Sequence, residues 1–402
     1  MACNQTNLAG VLISFDDTNP IPFTATETGG DTLFMSDNPE TITFPSSTTV
    51  GMVLWNYTVD KTDISEYKIR AYLWHVNNVT IHNQDTDINI GLTIQNLSAT
   101  SPADDLVIRQ YEASRQYELG PGTEDFFDPG KCIAKATLGG TQETFLTKDL
   151  QVPAGATTPV KISEVGVKYG DHLFACYELT IRRANGEGAM NFTLRSACCV
   201  STESITGQTG TPPAVYHGQD LPSGWSECPS MYGDARGAWQ YSRIRVDMSE
   251  PYVIGSGSGA VKLGGRIGTC TLPKDAALFD IGTALQPNDV KSVVANKGMY
   301  AVDYDPIVVM ASNPTPLTLT VNVYIATNLP SGGLAGAMGW EGAYFGIPLD
   351  SQHYLKSAGN GGPNAVLVQP LTVNPNSMGY ASFSFQVGGE SSSPWEIVFI
   401  DQ

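Results

Sequence analysis

The stretch Ile88-Asn89-Ile90-Gly91-Leu92-Thr93-Ile94-Gln95 carries an apolar residue at every even position and a small or polar one at every odd position. Side chains alternate faces along a strand, so this octet predicts a strand with one face on a core and the other in water. Leu317-Thr318-Leu319-Thr320-Val321-Asn322-Val323-Tyr324-Ile325 repeats the pattern far along the chain. One-sided burial points to antiparallel sheets, because parallel sheets are covered on both faces. Further strands are expected over 50–59, 67–76, 244–246, 300–310 and 395–400. No window of adequate length has helical periodicity; the best helical piece is a turn at Pro287-Asn288-Asp289-Val290-Lys291, with Asn288 as its cap.

The two alternating strands share a downstream context. The first precedes Asn96-Leu97, then Leu150-Gln151-Val152-Pro153-Ala154-Gly155 and a strand from Leu173 to Ile181. The second precedes Asn328-Leu329, then Leu371-Thr372-Val373-Asn374-Pro375-Asn376 and the strand Ala381-Ser382-Phe383-Ser384-Phe385-Gln386-Val387. This order suggests a divergent internal duplication. It resembles the tandem immunoglobulin-like sandwich modules of bacterial surface and appendage proteins, and the resemblance implies a fold class rather than an activity. The expected architecture is all-β: two antiparallel β-sandwiches, immunoglobulin-like or jelly-roll-like, with an extended N-terminal arm. The Thr-, Gly- and Pro-rich stretch after Val200 has little that could enter a core. The expected division is therefore an arm over 1–45, a first sandwich over 46–200, a linker over 201–224 and a second sandwich over 225–402.

Charge narrows the function classes. The 402 residues carry 22 Lys+Arg against 40 Asp+Glu, a net charge of −18, so a phosphate-neutralising nucleic-acid clamp is excluded and an anionic membrane surface is disfavoured. Charged residues are 15% of the chain, well below the roughly 25% usual in soluble domains, so Thr, Ser, Asn and Gln must wet much of the surface. That composition suits sheets better than helices carrying Glu/Lys pairs. No Sec-type leader opens the sequence as given, and no apolar run is long enough to span a bilayer. Sequons at Asn4, Asn56, Asn78, Asn96 and Asn191 are discounted, because a chain rich in Asn and Thr produces several by chance.

Seven cysteines lie at spacings that match no zinc ribbon or finger. The adjacent pair Cys198-Cys199 is unusual: in an extended segment the two point to opposite faces and can serve two different partners, but not each other. With Cys3 on the arm, they are candidates for inter-subunit disulfides; the opposing reading is that they are small buried hydrophobes. Trp225, Trp239 and Trp340 sit in Gly-rich surroundings and are candidates for a sugar-stacking platform, or for plugs of the sandwich ends. Asp85, Asp87 and Asn89 set oxygen ligands at alternate positions, as calcium loops begin, although Ile90 occupies the place of the turn glycine. Glu124, Asp125 and Asp128 form a second oxygen cluster ahead of Pro129-Gly130. Calcium is thus the one cofactor the sequence suggests, and none is required.

No nucleophile motif is present: Gly255-Ser256-Gly257-Ser258-Gly259 has glycine where a nucleophile elbow has serine. His75 is expected to be a satisfied structural histidine. A glycosidase would need two carboxylates across a cleft, a pair that sequence does not select among forty acids. The sequence therefore favours a non-catalytic structural subunit of a surface coat, appendage or capsid. Such a subunit would associate with itself by sparsely charged strand edges and would lie on a cell, spore or virion surface. Disulfide-stapled spore appendage subunits resemble it in their N-terminal cysteine arm and adjacent cysteines on a sandwich. The alternative is a glycan-binding adhesin or receptor-binding protein, and a third reading is a sandwich-fold hydrolase.

Overall fold

A computed structural model describes residues 8–62, 64–98, 105–118, 128–139, 143–144, 149–186, 189–214, 234–264, 272–285, 293–327, 333–341, 343–350, 363–388 and 395–402. In chain order the first strands are β1 (Gly10–Val11), β2 (Phe23–Gly29), β3 (Thr32–Ser36), β4 (Thr41–Ile42), β5 (Gly51–Lys61) and β6 (Glu66–Asn77). A small hairpin of β7 (Thr80–Ile81) and β8 (Gln84–Asp85) leads to β9 (Ile88–Asn96) and β10 (Leu106–Glu118). Helix α1 (Asp128–Gly139) and the short β11 (Glu143–Thr144) and β12 (Leu150–Val152) precede β13 (Val160–Val167), β14 (His172–Arg183) and β15 (Met190–Val200).

The second half opens with β16 (Arg236–Trp239), β17 (Arg243–Met248), β18 (Tyr252–Val253) and β19 (Ser258–Leu263). It continues with β20 (Asp303–Asn313), β21 (Leu319–Ala326), β22 (Gly333–Trp340), β23 (Ala343–Asp350), β24 (Ala365–Val373), β25 (Ser377–Val387) and β26 (Trp395–Asp401).

Both halves build the same sandwich. In the first, one sheet runs β5-β15-β9-β13 and faces a sheet containing β6-β14-β10, with β11 and β12 on its far side. In the second, β19-β26-β21-β24 faces β20-β25-β22-β23. Counted from β5 and from β19, with the β7–β8 hairpin set aside and β11 and β12 taken as one position, the pairings coincide, and all of them are antiparallel. Eight strands that alternate between two sheets in this order make a jelly roll. The fold is therefore all-β, with two tandem jelly-roll sandwiches. The duplicated context seen in sequence maps onto equivalent strands for β9 with β21 and for β14 with β25. The two L-x-V segments are not equivalent, since β12 pairs with β10 whereas Leu371–Val373 ends β24, which pairs with β21.

In β9, Ile88, Ile90, Leu92 and Ile94 are buried on the core face, as the alternation requires. Its other face is only partly in water: Asn89 and Gln95 are half-buried and Gly91 and Thr93 are buried. Gly91 is covered because β13 bulges onto it, and a Cβ there would meet the Ser163 carbonyl oxygen well inside contact distance. Glycine is thus required where an extra residue in the neighbouring strand pushes backbone over backbone.

Residues 1–45 are not simply an arm. Residues 8–22 form a strap within the same molecule: β1 pairs with β24, the Ile13 backbone exchanges two hydrogen bonds with the Asn364 side chain, and the Ile21 amide reaches the Ala260 carbonyl at 2.7 Å. Ile13 and Phe15 cover the outer face of that sheet, where Ala260, Ala326, Ala365 and Val398 leave room for them. Strands β2, β3 and β4 then belong to the body of the molecule.

The division at residues 201–224 is also crossed. Residues 23–36 pair with 236–248 as one long antiparallel ribbon that bends at Gly29-Gly30. Both glycines have positive φ (112° and 83°), and a Cβ on Gly30 would stand 2.6 Å from Ser242 Oγ. On one side of the bend β3 runs parallel to β6 of the first sandwich; on the other, β17 runs parallel to β20 of the second. The ribbon stitches the two sandwiches together, and one continuous hydrophobic core runs from Leu33 and Trp55 to Tyr304 and Trp395. Helix α1, absent from the sequence expectation, begins Asp128-Pro129 and buries Ile133 and Ala134. Pro at its first turn is a start signal, but the helix is short and its place is set by packing between β22 of the other half and β10 of its own. The helical turn expected at 287–291 lies outside the described residues.

Candidate functional site

Two clusters of polar groups stand out from the apolar interior. The first lies at the seam between the sandwiches. Arg70 on β6 donates from both terminal nitrogens to the Asp303 carboxylate on β20, at 2.9 and 3.0 Å, and from Nε and NH2 to Glu178 on β14. Asp303 also accepts from Gln386, whose amide oxygen accepts from Thr137 on α1 at 2.7 Å. Arg70 and Asp303 are buried, and the paired carboxylates hold the guanidinium firmly charged against the desolvation that opposes it. The chain of contacts joins β6, β14, β20, β25 and α1, and its geometry suits a clamp rather than a reaction centre.

The second cluster opens to solvent. A cavity of about 700 Å³ lies beside β4 and the start of β5, walled by Pro39, Pro45, Met52 and Pro213, with Glu40 and Asp234 on its lining. Burial, and then the neighbouring Asp234, push Glu40 up to about 8. Asp234 is also raised by burial, with the charge of Lys297 pulling the other way. Behind them Asp37 is 1% exposed, and its Oδ1 has no hydrogen-bond partner. Its carboxyl is raised well above the ordinary range by burial and by the charges of Asp234 and Glu40. Lys297 is 3% exposed, its ammonium makes no hydrogen bond, and burial lowers it to about 8 against the attraction of Asp280 and Asp234.

The surroundings fix this group of acids from below. His75 bridges Ser36 Oγ at 3.0 Å and the Pro39 carbonyl at 2.8 Å, and burial lowers it to about 4, so it is the satisfied structural histidine expected. Arg236 gives its hydrogen bonds to the carbonyls of Asn38, Leu54 and Pro213 and lies over the Trp55 ring at 5.1 Å. The strand β3 delivers Asp37, the turn after it delivers Glu40, and the start of the second half delivers Asp234. Nothing in sequence spacing could unite residues nearly two hundred positions apart.

The residues singled out from sequence fall elsewhere. Cys198 and Cys199 do point to opposite faces of β15, but both faces are covered: Cys198 enters the core, and Cys199 packs with Ala197 under Ile205. Both are free and fully buried, as is Cys176, and burial raises all three thiols. The inter-subunit disulfide reading is corrected for this pair, since neither sulfur reaches the surface; Cys3 lies outside the described residues. Trp239 is also corrected: it is 1% exposed, donates its indole N–H to the Asp280 carbonyl at 2.9 Å and packs on Phe279, so it is a core residue. Trp340 is half-buried against the core, and Trp225 lies outside the described residues.

Of the calcium candidates, Asp85 and Asp87 are exposed; Asp87 accepts from the Tyr169 amide, and Asn89 donates to the Glu203 carbonyl. Glu124 and Asp125 lie outside the described residues, and Asp128 opens α1. Among the described residues no three His, Cys, Asp or Glu side chains are grouped to hold a metal ion.

No family model matches this chain, and neither does any curated protein. Among solved structures it is similar, at 9% identity and a TM-score of 0.15, to the CBM22-1-CBM22-2 tandem domain of Paenibacillus barcinonensis Xyn10C, over 89% of this chain and 92% of that one. A Paenibacillus xanthan lyase matches at 10% identity and a TM-score of 0.16, over 99% of this chain and 32% of that one. Likeness at this level carries no argument beyond the β-rich character already described.

Proposed function

We propose that the chain is a non-catalytic building block of a self-assembling protein coat, appendage or capsid. The observation that carries the reading is the stitching of two identically ordered jelly rolls into one body by the ribbon of residues 23–36 and 236–248. Jelly rolls recur in capsid and lectin domains, and a rigid two-sandwich unit is a natural tile, because assembly energy is not spent on ordering two loose domains. The tile has an open edge. Among the described residues strand β2 pairs only with β17, and its seven residues carry a single charge, Glu27, with the Lys274 ammonium donating to the Phe23 carbonyl at its start. Sparsely charged strand edges are templates for another strand. Such a subunit would sit on the surface of a cell, spore or virion.

Self-association is tested by light scattering and electron microscopy on the purified protein, compared with a variant carrying Thr26→Lys and Thr28→Lys on the β2 edge. Large regular assemblies lost in the variant support the reading; a monomer at all concentrations refutes it. The glycan-binding alternative is weakened by the burial of Trp239 and is separated from the first reading by a glycan array.

A further inference from the structure

We propose that residues 8–22 are a pH-operated latch: the strap lies closed over its sheet while Glu396 beneath it carries a proton, and lifts when that carboxyl ionises. The proposal does not rest on the assembly reading. The strap crosses the outer face of the sheet β19-β26-β21-β24 from one edge to the other. At the β24 edge it is held by the two-residue pairing of β1 and by the Asn364 side chain on the Ile13 backbone. Across the face, Ile13 and Phe15 rest on Ala260, Ala326, Ala365 and Val398. At the β19 edge the Asp16 amide donates to Ser258 Oγ at 3.1 Å and the Ile21 amide to the Ala260 carbonyl. Val11 and Leu12 stay exposed. A segment tied by so few buried contacts opens locally at much less cost than the whole fold.

The switch lies under this segment. Glu396 is two residues before Val398 on β26 and so shares the outer face with it. Directly opposite it on that face stand Lys262 of β19 and Ala326 of β21. Lys262 pairs with Asp17 of the strap at 2.9 Å, so one ammonium serves two carboxyls. Glu396 is 3% exposed and its Oε2 has no hydrogen-bond partner, an environment that a neutral carboxyl tolerates far better than a carboxylate. Among the described residues the charged groups facing it are Asp17 on the strap and Lys262 on β19, and its neighbour on β21 is an alanine. Burial, and then the charge of Asp17, push Glu396 up to about 8 against the attraction of Lys262. Lifting the strap takes Asp17 away and returns Glu396 toward water and its ordinary value of 4.5. The closed form therefore holds the proton more tightly; its advantage is complete below pH 4.5 and is lost as pH rises to about 8.

The test is hydrogen–deuterium exchange of the full chain at pH 6 and pH 8, read by mass spectrometry on peptides covering residues 8–22 and, as an internal reference, β9, with rates corrected for intrinsic exchange. Strap protection is expected to fall about tenfold or more from pH 6 to pH 8, while that of β9 holds. Glu396→Gln, which keeps the shape and cannot ionise, is expected to hold the strap closed equally at both values. Lys262→Met, which removes the shared counter-charge, is expected to lower strap protection severalfold at pH 8 relative to the parent. Equal strap protection at the two values in the parent, a fall of the strap and β9 together, an undiminished fall in Glu396→Gln, or unchanged protection in Lys262→Met would overturn the proposal. The parent and Lys262→Met decide the matter even if Glu396→Gln fails to fold.

Discussion

Arg70 of the first sandwich and Asp303 of the second meet as a two-pronged ion pair, with N–O distances of 2.9 and 3.0 Å, in a seam where both are buried. Removing one partner leaves the other charged and desolvated. Arg70→Ala is expected to lower the unfolding free energy by about 3–5 kcal/mol, the cost of breaking a buried pair. Asp303→Asn, which keeps the shape and one acceptor, is expected to cost less. Urea unfolding followed by tryptophan fluorescence measures both, and a loss below about 1 kcal/mol for Arg70→Ala would show that the seam is wet.

The acids predict an unusual pH dependence. A carboxyl whose pKa is raised in the folded chain binds its proton more tightly there, so its stabilising contribution is complete below the unfolded value and is lost as pH rises through the folded one. For Glu40 and Glu396 that window runs from 4.5 to about 8. His75 acts in the opposite sense, and its contribution is lost only as pH falls from 6.5 toward about 4. Lys297, lowered to about 8, weakens the fold on acidification only above that pH. Between pH 8 and 6.5 the carboxyls dominate, so the melting temperature should rise on acidification. A tenfold difference in proton affinity between the folded and unfolded chain corresponds to about 1.4 kcal/mol, and Glu40→Gln should flatten the slope measured by calorimetry from pH 8 to 6.5.

Much of this fold was legible because the core is built from alternating strands. The octet at residues 88–95 and its counterpart at 317–325 became β9 and β21, equivalent strands of the two sandwiches. The joint was not legible. The strands β2, β3 and β16 are short, and β3 and β16 are buried throughout, so they lack the period-two pattern that marks a one-sided strand, and only pairing across two hundred residues defines them. Helix α1 was hidden for a related reason, since its position depends on the other half of the chain. The acid cluster lay beyond reach because charge alone does not tell a solvated carboxylate from Glu40 or Asp37. The one hint on offer was the pairing of Asp37 and Glu40 around a proline, in a segment that turn residues made look irregular.

The cysteines give a chemical prediction. Cys176, Cys198 and Cys199 are free and fully buried, and the thiolate is the reactive form. A maleimide pulse on native protein, read by mass spectrometry of peptides, should leave all three unlabelled, and the same pulse in denaturant should label them. Labelling of Cys199 in the native state would show that the Ile205 cover opens.

Trp239→Ala should behave as a core truncation, costing about 3–5 kcal/mol, because it removes a ring packed on Phe279 and a hydrogen bond to Asp280. Trp239→Phe should retain most of the packing and cost less. Chemical denaturation separates the two. A stable Trp239→Ala variant that had lost glycan binding would instead restore this side chain to a recognition role.

The central claim is that the stitched pair of jelly rolls is a unit of assembly, and electron microscopy combined with light scattering, with and without reductant, tests it most directly. Regular particles, sheets or filaments should form in both conditions, since Cys198 and Cys199 are buried, and should disappear in the variant carrying Thr26→Lys and Thr28→Lys. A uniform 43.0 kDa monomer across concentrations, for the parent and the edge variant alike, would contradict the account.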